Sequence, residues 1–321
     1  MTSRPRHLRS FVTVCVVMSL WTATGVAGEV DQPPDREALR RQLAEALAAD
    51  DLDGSVPLAE QIAFAELGDY LDASYDLLRI HCRRGDEEAA FETVEAMLDA
   101  GYWDFRRLLG DEDLTLVNAT ERFRSMVRAA WSKQYIGMLE RDTRDAMQHP
   151  DEIMDRLEIQ PGDVVADIGA GSGYFTVPIS RAVGTRGRVI ATDIRQEMLD
   201  YISNRLAAEG IENVELVRVE PDDPGLPAGK VDLVLMVDVM HYVKERAAYA
   251  RKLRPALTAD GRLVVIDFRY DPDAEREFAP PPEQQVPRET LDREMAEAGF
   301  EVAAAYDFLP EQYFVVYRPA E

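Results

Sequence analysis

Three glycines in five positions, Gly169-Ala170-Gly171-Ser172-Gly173, follow the apolar run VVADI and precede the amphipathic FTVPISRAV. A strand that ends in such a turn and feeds a helix aims backbone N–H groups at an anionic group, phosphate or carboxylate. Asp193 stands at the end of the next apolar run, where a carboxylate can accept both hydroxyls of a ribose. Turn and acid together select a ribonucleoside ligand. A further acid that could meet such a ligand is Asp167, just before the first glycine. His241 and Tyr242 follow the run VDLVLMV, at the edge of the sheet where ligands bind.

The glycine spacing discriminates between ribonucleosides. Gly169, Gly171 and Gly173 form G-x-G-x-G, whereas a dinucleotide turn, G-x-G-x-x-G, wants glycine where this chain has Tyr174. Asp167 would repel a pyrophosphate and would suit the ammonium of a methionine moiety. Both features disfavour a nicotinamide oxidoreductase and favour S-adenosylmethionine.

These residues need a scaffold, and from Gly162 onward the sequence supplies one. The runs VVADI, RVIAT, VELVR, VDLVLMV, RLVVID, FEVAAAY and YFVVYR alternate, for the most part, with amphipathic helical stretches such as QEMLDYISNRLAAE and RETLDREMAEAG. That alternation predicts an α/β fold, a doubly wound, mostly parallel seven-stranded sheet. Ahead of it, residues 29–133 read as a small all-α domain. Leu71, Tyr75, Leu78 and Cys82 share one helical face, and Ala90, Val94, Met97 and Leu98 another. GDYLDA at Gly68 and GDEEAA at Gly85 suggest a repeat, and the stretch from about Leu58 to Trp131 resembles the tetratricopeptide family, although it lacks the paired Trp and Leu-Gly of a full unit. The resemblance implies a protein- or peptide-binding surface; the other reading is a helical cap on the second domain. Residues 134–149 read as a helical bridge or lid, broken at His149-Pro150, where His149 is either part of the lid or a helix-end residue.

Over about Pro150 to Pro319, VVADIGAGSGYF, VIATDIRQEML, VRVEPDDPGLP and VDLVLMVDVMHYV resemble the successive motifs of the class I S-adenosylmethionine-dependent methyltransferases. The resemblance implies that Gly169, Gly171 and Gly173 cradle the methionine end of the donor, with Asp167 near its amine. It implies that Asp193 holds the ribose, that Ile194 packs on the adenine, and that Asp222 or Asp223 stands near the adenine amino group, although EPDDPG departs from the family's single acid. Asp238 would face the methionine part, Tyr174 would line the pocket, and the last two strands would form an antiparallel hairpin at the sheet edge.

Methyl transfer is an in-line displacement, so alignment of donor and acceptor can supply up to ~7–11 kcal/mol and no base is obligatory. A hydroxyl, amine or carbon-acid acceptor would gain from one, and His241 is the candidate, with Tyr242 beside it; the other reading of His241 is structural. The segment YDPDAEREFAPPPEQQVPRE is placed either to shape a substrate pocket or to connect two elements. The histidines and cysteines show no metal-ligand spacing, and a thiol-based arsenite-type mechanism lacks its cysteines. The acceptor is a small molecule or a protein side chain; the competing reading is a non-catalytic donor-binding scaffold or sensor that works through its helical repeats.

The N-terminus sets the compartment. Arg4, Arg6 and Arg9 precede the uncharged FVTVCVVMSLWTATGVA, which ends in small residues, the layout of a signal peptide over 1–28. The alternative is an uncleaved anchor, and either way the remainder is exported, periplasmic or secreted. No other span is expected in the mature chain. S-adenosylmethionine is made in the cytoplasm, so export would require the donor to reach this compartment. The net charge is −24, and loss of residues 1–28, with three Arg and no Asp or Glu, takes it to −27. Such a surface repels nucleic acid and anionic lipid. Only Cys82 would survive cleavage, which excludes a disulfide scaffold. Asn118-Ala119-Thr120 fits a glycosylation sequon, but Thr120 before ERFRSMV reads more simply as a helix N-cap.

Overall fold

The computed structural model of the 321-residue chain describes residues 36–49, 58, 70–72, 74–273, 276 and 279–320. The expected signal peptide and the Gly-Asp turn at Gly68 lie outside the described residues. Two compact units meet in sequence between Gln134 and Tyr135.

The described part of the first unit is helical: α1 (Arg36–Ala48), α2 (74–84), α3 (Glu87–Asp99), α4 (Phe105–Gly110), α5 (Thr115–Asn118) and most of α6 (Glu121–Leu139). Glu87 and Glu88 in the first turn of α3 meet the positive end of its dipole. Ala90, Phe91, Val94, Met97 and Leu98 recur at helical spacing and are buried with Tyr75, Leu78, Cys82, Phe123 and Val127 in one core. Schellman bonds close α2 and α3: Asp86 N–H donates to His81 O at 3.0 Å and Tyr102 N–H to Met97 O at 2.9 Å. Past α3 the expected run of similar helices stops. The Asp104 carboxylate accepts from Arg107 N and that of Asp111 from Asp113 N, so each starts a new short segment. Thr120 caps α6, accepting from Phe123 N at 3.2 Å.

In the second unit the end of α6, α7 (Arg144–Gln148) and α8 (Pro150–Arg156) precede a seven-stranded sheet. His149, in the left-handed region at φ 45°, separates α7 from α8, and Pro150 opens α8, where its missing N–H costs nothing. The order is β3-β2-β1-β4-β5-β7-β6, with β1 (Val164–Ile168), β2 (Arg188–Asp193), β3 (Val214–Arg218), β4 (Val231–Val237) and β5 (Leu257–Phe268) parallel. β7 (Gln312–Pro319) runs antiparallel between β5 and β6 (Phe300–Tyr306).

Strand periodicity builds the two layers that cover this sheet. Val165, Leu233, Leu235, Val264, Ile266, Phe314 and Val316 pack with α8 and with α9 (Thr176–Val183). Their neighbours Ala166, Val234, Met236, Leu263, Val265, Val315 and Tyr317 pack on the other face with α11 (Arg246–Leu253) and α12 (Arg288–Glu297). Ile202 and Leu206 of α10 (Gln196–Glu209) cover Ala191 of β2. Both faces are therefore buried, as a parallel sheet requires.

One strand is longer than its sequence suggests. β5 starts at Leu257 rather than Arg262, because Leu257 pairs with Val231 ahead of a register shift. Gly261 permits it: a Cβ there would stand 2.9 Å from Val231 O.

Candidate active site

The glycine turn leaves β1 at the carboxyl edge of the sheet and enters α9. Gly169, Gly171 and Gly173 sit at φ 68°, 57° and 78°, a region L side chains resist. Gly169 N and Ala170 N both donate to Thr192 O, at 2.8 and 3.0 Å, binding the turn to the end of β2. A Cβ on Gly169 would stand 2.4 Å from Val239 Cγ2, and one on Gly173 would stand 3.1 Å from Ile202 Cγ1. Close packing is thus served by Gly173 itself. Tyr174 instead donates its hydroxyl to Asp145, and the Arg144 guanidinium lies 3.9 Å from its ring centroid.

Asp193, at the end of β2, accepts from Gly171 N at 3.0 Å and Arg195 N at 2.9 Å. Burial raises its carboxyl above the usual range, and these backbone donors oppose the rise. The next residue, Ile194, is apolar and 47% exposed, a surface on which a flat ring can rest. Two hydroxyls at the turn, Ser172 Oγ and Thr192 Oγ1, are buried with no partner among the described residues.

Asp167 and Asp238 end neighbouring strands. Asp167 is buried and accepts from Thr176 Oγ1 at 2.6 Å; burial pushes its carboxyl up to about 6. Asp238 follows β4 in the left-handed region at φ 57°, and its two oxygens accept from Gln148 Nε2, at 2.9 Å, and Gln312 Nε2. Burial first, then repulsion from Asp267, pushes it up to about 7, against the pull of Arg144 and His241. Gln312 Oε1, beside it, is buried without a partner among the described residues.

Residues just ahead of the sheet close over this edge. Leu139 Cδ1 would stand 3.0 Å from a Cβ on Gly171. The Tyr135 hydroxyl is pushed up to about 12, mainly by burial and then by Tyr242, Asp193 and Asp238. Arg144 Nε donates to Gln148 Oε1 and Nη1 to Leu139 O, both at 2.7 Å.

The last piece is a dyad. His241 occupies a 3-10 turn (Met240–Tyr242) and is buried. Its backbone N–H donates to Asp267 Oδ2 at 3.0 Å, and its Nδ1 lies 2.7 Å from Asp267 Oδ1, which also accepts from Phe268 N at 2.8 Å. A carboxylate that serves only as acceptor assigns the proton to Nδ1 and leaves the Nε2 lone pair to accept. No described residue bonds Nε2. Tyr242 is 63% exposed, its ring centroid 4.1 Å from that of His241.

Residues 166–263 match a family profile described as a methyltransferase domain. The ubiquinone/menaquinone biosynthesis C-methyltransferase UbiE of Vibrio vulnificus (strain YJ016) is 28% identical over 176 residues, 46% of this chain and 68% of that relative. UbiE of Marinomonas sp. (strain MWYL1) is 32% identical over 111 residues, 34% of this chain and 44% of that relative. A solved structure of a SAM-dependent methyltransferase from Aquifex aeolicus superposes with a TM-score of 0.54 at 25% identity, covering 58% of this chain and 97% of that one.

Residues 166–263 carry an S-adenosylmethionine-dependent methyltransferase domain.

The protein is thus an enzyme, and its donor is S-adenosylmethionine. The residues present fit that molecule: an exposed apolar residue, Ile194, follows the acid at the end of β2, and buried polar atoms at this edge, Ser172 Oγ, Thr192 Oγ1 and Gln312 Oε1, have no partner among the described residues. The donor supplies an electrophilic methyl group on a sulfonium; the chain's residues orient and enclose it.

The methyltransferase brings Asp167, Gly169, Gly171, Gly173, Tyr174, Asp193, Asp238, His241 and Tyr242 to one edge. Asp222 and Asp223 lie in the loop after β3, where the Asp222 carbonyl accepts from Lys252 Nζ at 2.6 Å and the Asp223 carboxylate accepts from Gly225 N at 3.1 Å. His149 lies 6.4 Å, ring to ring, from Phe308 and joins two helices. Sequence reasoning missed Asp267, Arg144, Gln148, Gln312, Tyr135 and Leu139. Asp267 had a readable signal, an acid ending the core strand VVIDF; the two glutamines had none.

Proposed function

We propose that the methyl acceptor carries a proton that must leave during transfer, and that His241 Nε2 takes it. The His241–Asp267 dyad carries this reading: a buried carboxylate fixes the tautomer and steadies the cation formed when Nε2 is protonated. In the step, the acceptor's O, N or C atom bonds the methyl carbon as the S–CH3 bond breaks. The acceptor proton passes to Nε2, and S-adenosylhomocysteine departs. Tyr242 lines the approach. The similarity to UbiE, a C-methyltransferase of ubiquinone/menaquinone biosynthesis, favours a carbon acceptor on a quinone- or phenol-type ring.

The glycines hold the methionine end, Asp167 and Asp238 its ammonium, Asp193 the ribose and Ile194 the adenine. Asp222 and Asp223 keep a place in the adenine loop. The tetratricopeptide-like helical unit is a docking surface for a protein partner, supported by the exposed Leu77, Ile80 and Trp103. A cleaved signal peptide over 1–28 sends the enzyme out of the cytoplasm, to the periplasm or beyond.

The test is release of S-adenosylhomocysteine from S-adenosylmethionine in the presence of a panel of phenols and hydroquinones. His241→Gln should lower turnover by about 10²–10⁴-fold on the accepted compound and leave donor affinity unchanged. Asp267→Asn should lower turnover less, with its effect on kcat rather than KM. Full turnover in His241→Gln would refute the base.

A further inference from the structure

Arg144 is a buried cation whose neighbours do not neutralise it. It is 8% exposed, and desolvation holds its guanidinium below the ordinary arginine range. Its Nε and Nη1 are spent on neutral acceptors, Gln148 Oε1 and Leu139 O, and its face lies on the Tyr174 ring. No described residue accepts from Nη2, and no described carboxylate lies within ion-pair distance. The glutamine beside it is positioned rather than loose: Gln148 bonds Arg144 through Oε1 and Asp238 through Nε2, so one amide sets both groups.

A guanidinium removed from water without an anion is costly, and its planar fork matches a carboxylate. Asp167 and Asp238 both feel its charge without touching it. The cluster therefore shows a separated pattern: a cation with an open donor on one side, and on the other Asp238 with the unpartnered Gln312 Oε1. A zwitterion fits that pattern, its carboxylate toward Arg144 and its ammonium toward the acids.

We infer that Arg144 binds the α-carboxylate of the methyl donor and is the residue by which the site distinguishes the intact amino-acid end from a nucleoside that lacks it. The inference rests on the donor site proposed at the glycine turn. Gln148 is its positioning residue, since it fixes the distance between the Arg144 fork and Asp238.

The test measures binding of three compounds by calorimetry: S-adenosylhomocysteine, decarboxylated S-adenosylmethionine, which lacks the carboxylate, and 5′-methylthioadenosine, which lacks the whole amino-acid end. The wild-type chain and the variants Arg144→Gln and Arg144→Lys are compared. Arg144→Gln should weaken S-adenosylhomocysteine by about 10- to 100-fold, the loss of one charge-assisted carboxylate contact. It should leave the other two within about twofold, because neither offers a carboxylate. Arg144→Lys should fall between, since it keeps the charge without the fork. Equal loss of all three compounds in Arg144→Gln would show a purely structural role and overturn the inference, as would unchanged binding of S-adenosylhomocysteine. Wild-type protein that binds 5′-methylthioadenosine and no more tightly S-adenosylhomocysteine would overturn it while leaving the nucleoside site standing. Wild-type protein that binds none of them would remove the donor site and the inference together.

Discussion

Donor binding should expel protons from the acid pair, and the number follows from the site. Burial chiefly pushes the Asp167 carboxyl up to about 6 and that of Asp238 up to about 7. Asp238 is faced by Asp267 from β5, His241 from the 3-10 turn, Arg144 and Gln148 from α7 and Gln312 from β7; Asp167 is faced by Asp193, Thr176 and Arg144. Near pH 6.5 both carboxyls are therefore partly protonated in the free site, together holding on the order of one proton. An ammonium held between the carboxyls favours their charged forms and lowers both midpoints, so the bound state sheds that proton. By pH 8 the free site holds only about a tenth of a proton and has almost none to lose. The assay is calorimetric titration of S-adenosylhomocysteine in buffers of different ionisation enthalpy, the slope giving protons released. We expect on the order of one at pH 6.5, much less at pH 8, and less than the wild type at pH 6.5 in Asp238→Asn. Proton uptake, or a slope of zero at pH 6.5 with tight binding, would refute the placement of the ammonium at these acids.

Gly173→Ala forces a side chain to φ 78° and sets its Cβ 3.1 Å from Ile202 Cγ1, so it should destabilise the second unit by roughly 1–2 kcal/mol; an unchanged urea midpoint would contradict the packing described. Because the Asp238 carboxyl is raised in the fold, the folded chain holds more protons than the unfolded one between about pH 4 and pH 7, and stability falls as pH rises through that window. Asp238→Asn should therefore gain on the wild type from pH 4 to pH 7, with a ceiling on the order of 4 kcal/mol, read from denaturation at each pH; a constant difference would refute it. Expressed with its own N-terminus in a secreting host, the chain should be recovered outside the cytoplasm beginning near Glu29, and Edman or mass-spectrometric mapping to Met1 would contradict cleavage.

Regular structure was legible where the local physical signals agreed. VVADI, VELVR, VDLVLMV and FEVAAAY correspond residue for residue to strands, and QEMLDYISNRLAAE to α10, because periodicity and glycine or charged boundaries agree there. RLVVID reads as the whole of the fifth strand, yet Leu257 to Gly261 also belongs to β5, because Leu257 pairs with Val231 ahead of a register shift. The glycines, Asp167, Asp193 and Asp238 were legible because chain geometry fixes their places at strand ends. Arg144, Gln148 and Gln312 were not: Gln148 meets Asp238 across 90 positions, and nothing local distinguishes its amide from a solvated one. The helical unit was legible as buried faces on α2 and α3, while the short α4 and α5 depend on Asp104 and Asp111 caps that a repeat pattern overlooks.

The most direct measurement of the central claim is calorimetric titration of the purified protein with S-adenosylmethionine, with NAD and an Asp193→Ala variant as controls. The account predicts micromolar binding of S-adenosylmethionine, no response to NAD and loss of binding when Asp193 no longer holds Gly171 and the ribose. A folded protein silent toward S-adenosylmethionine, or one that binds it equally well without the Asp193 carboxylate, would contradict it.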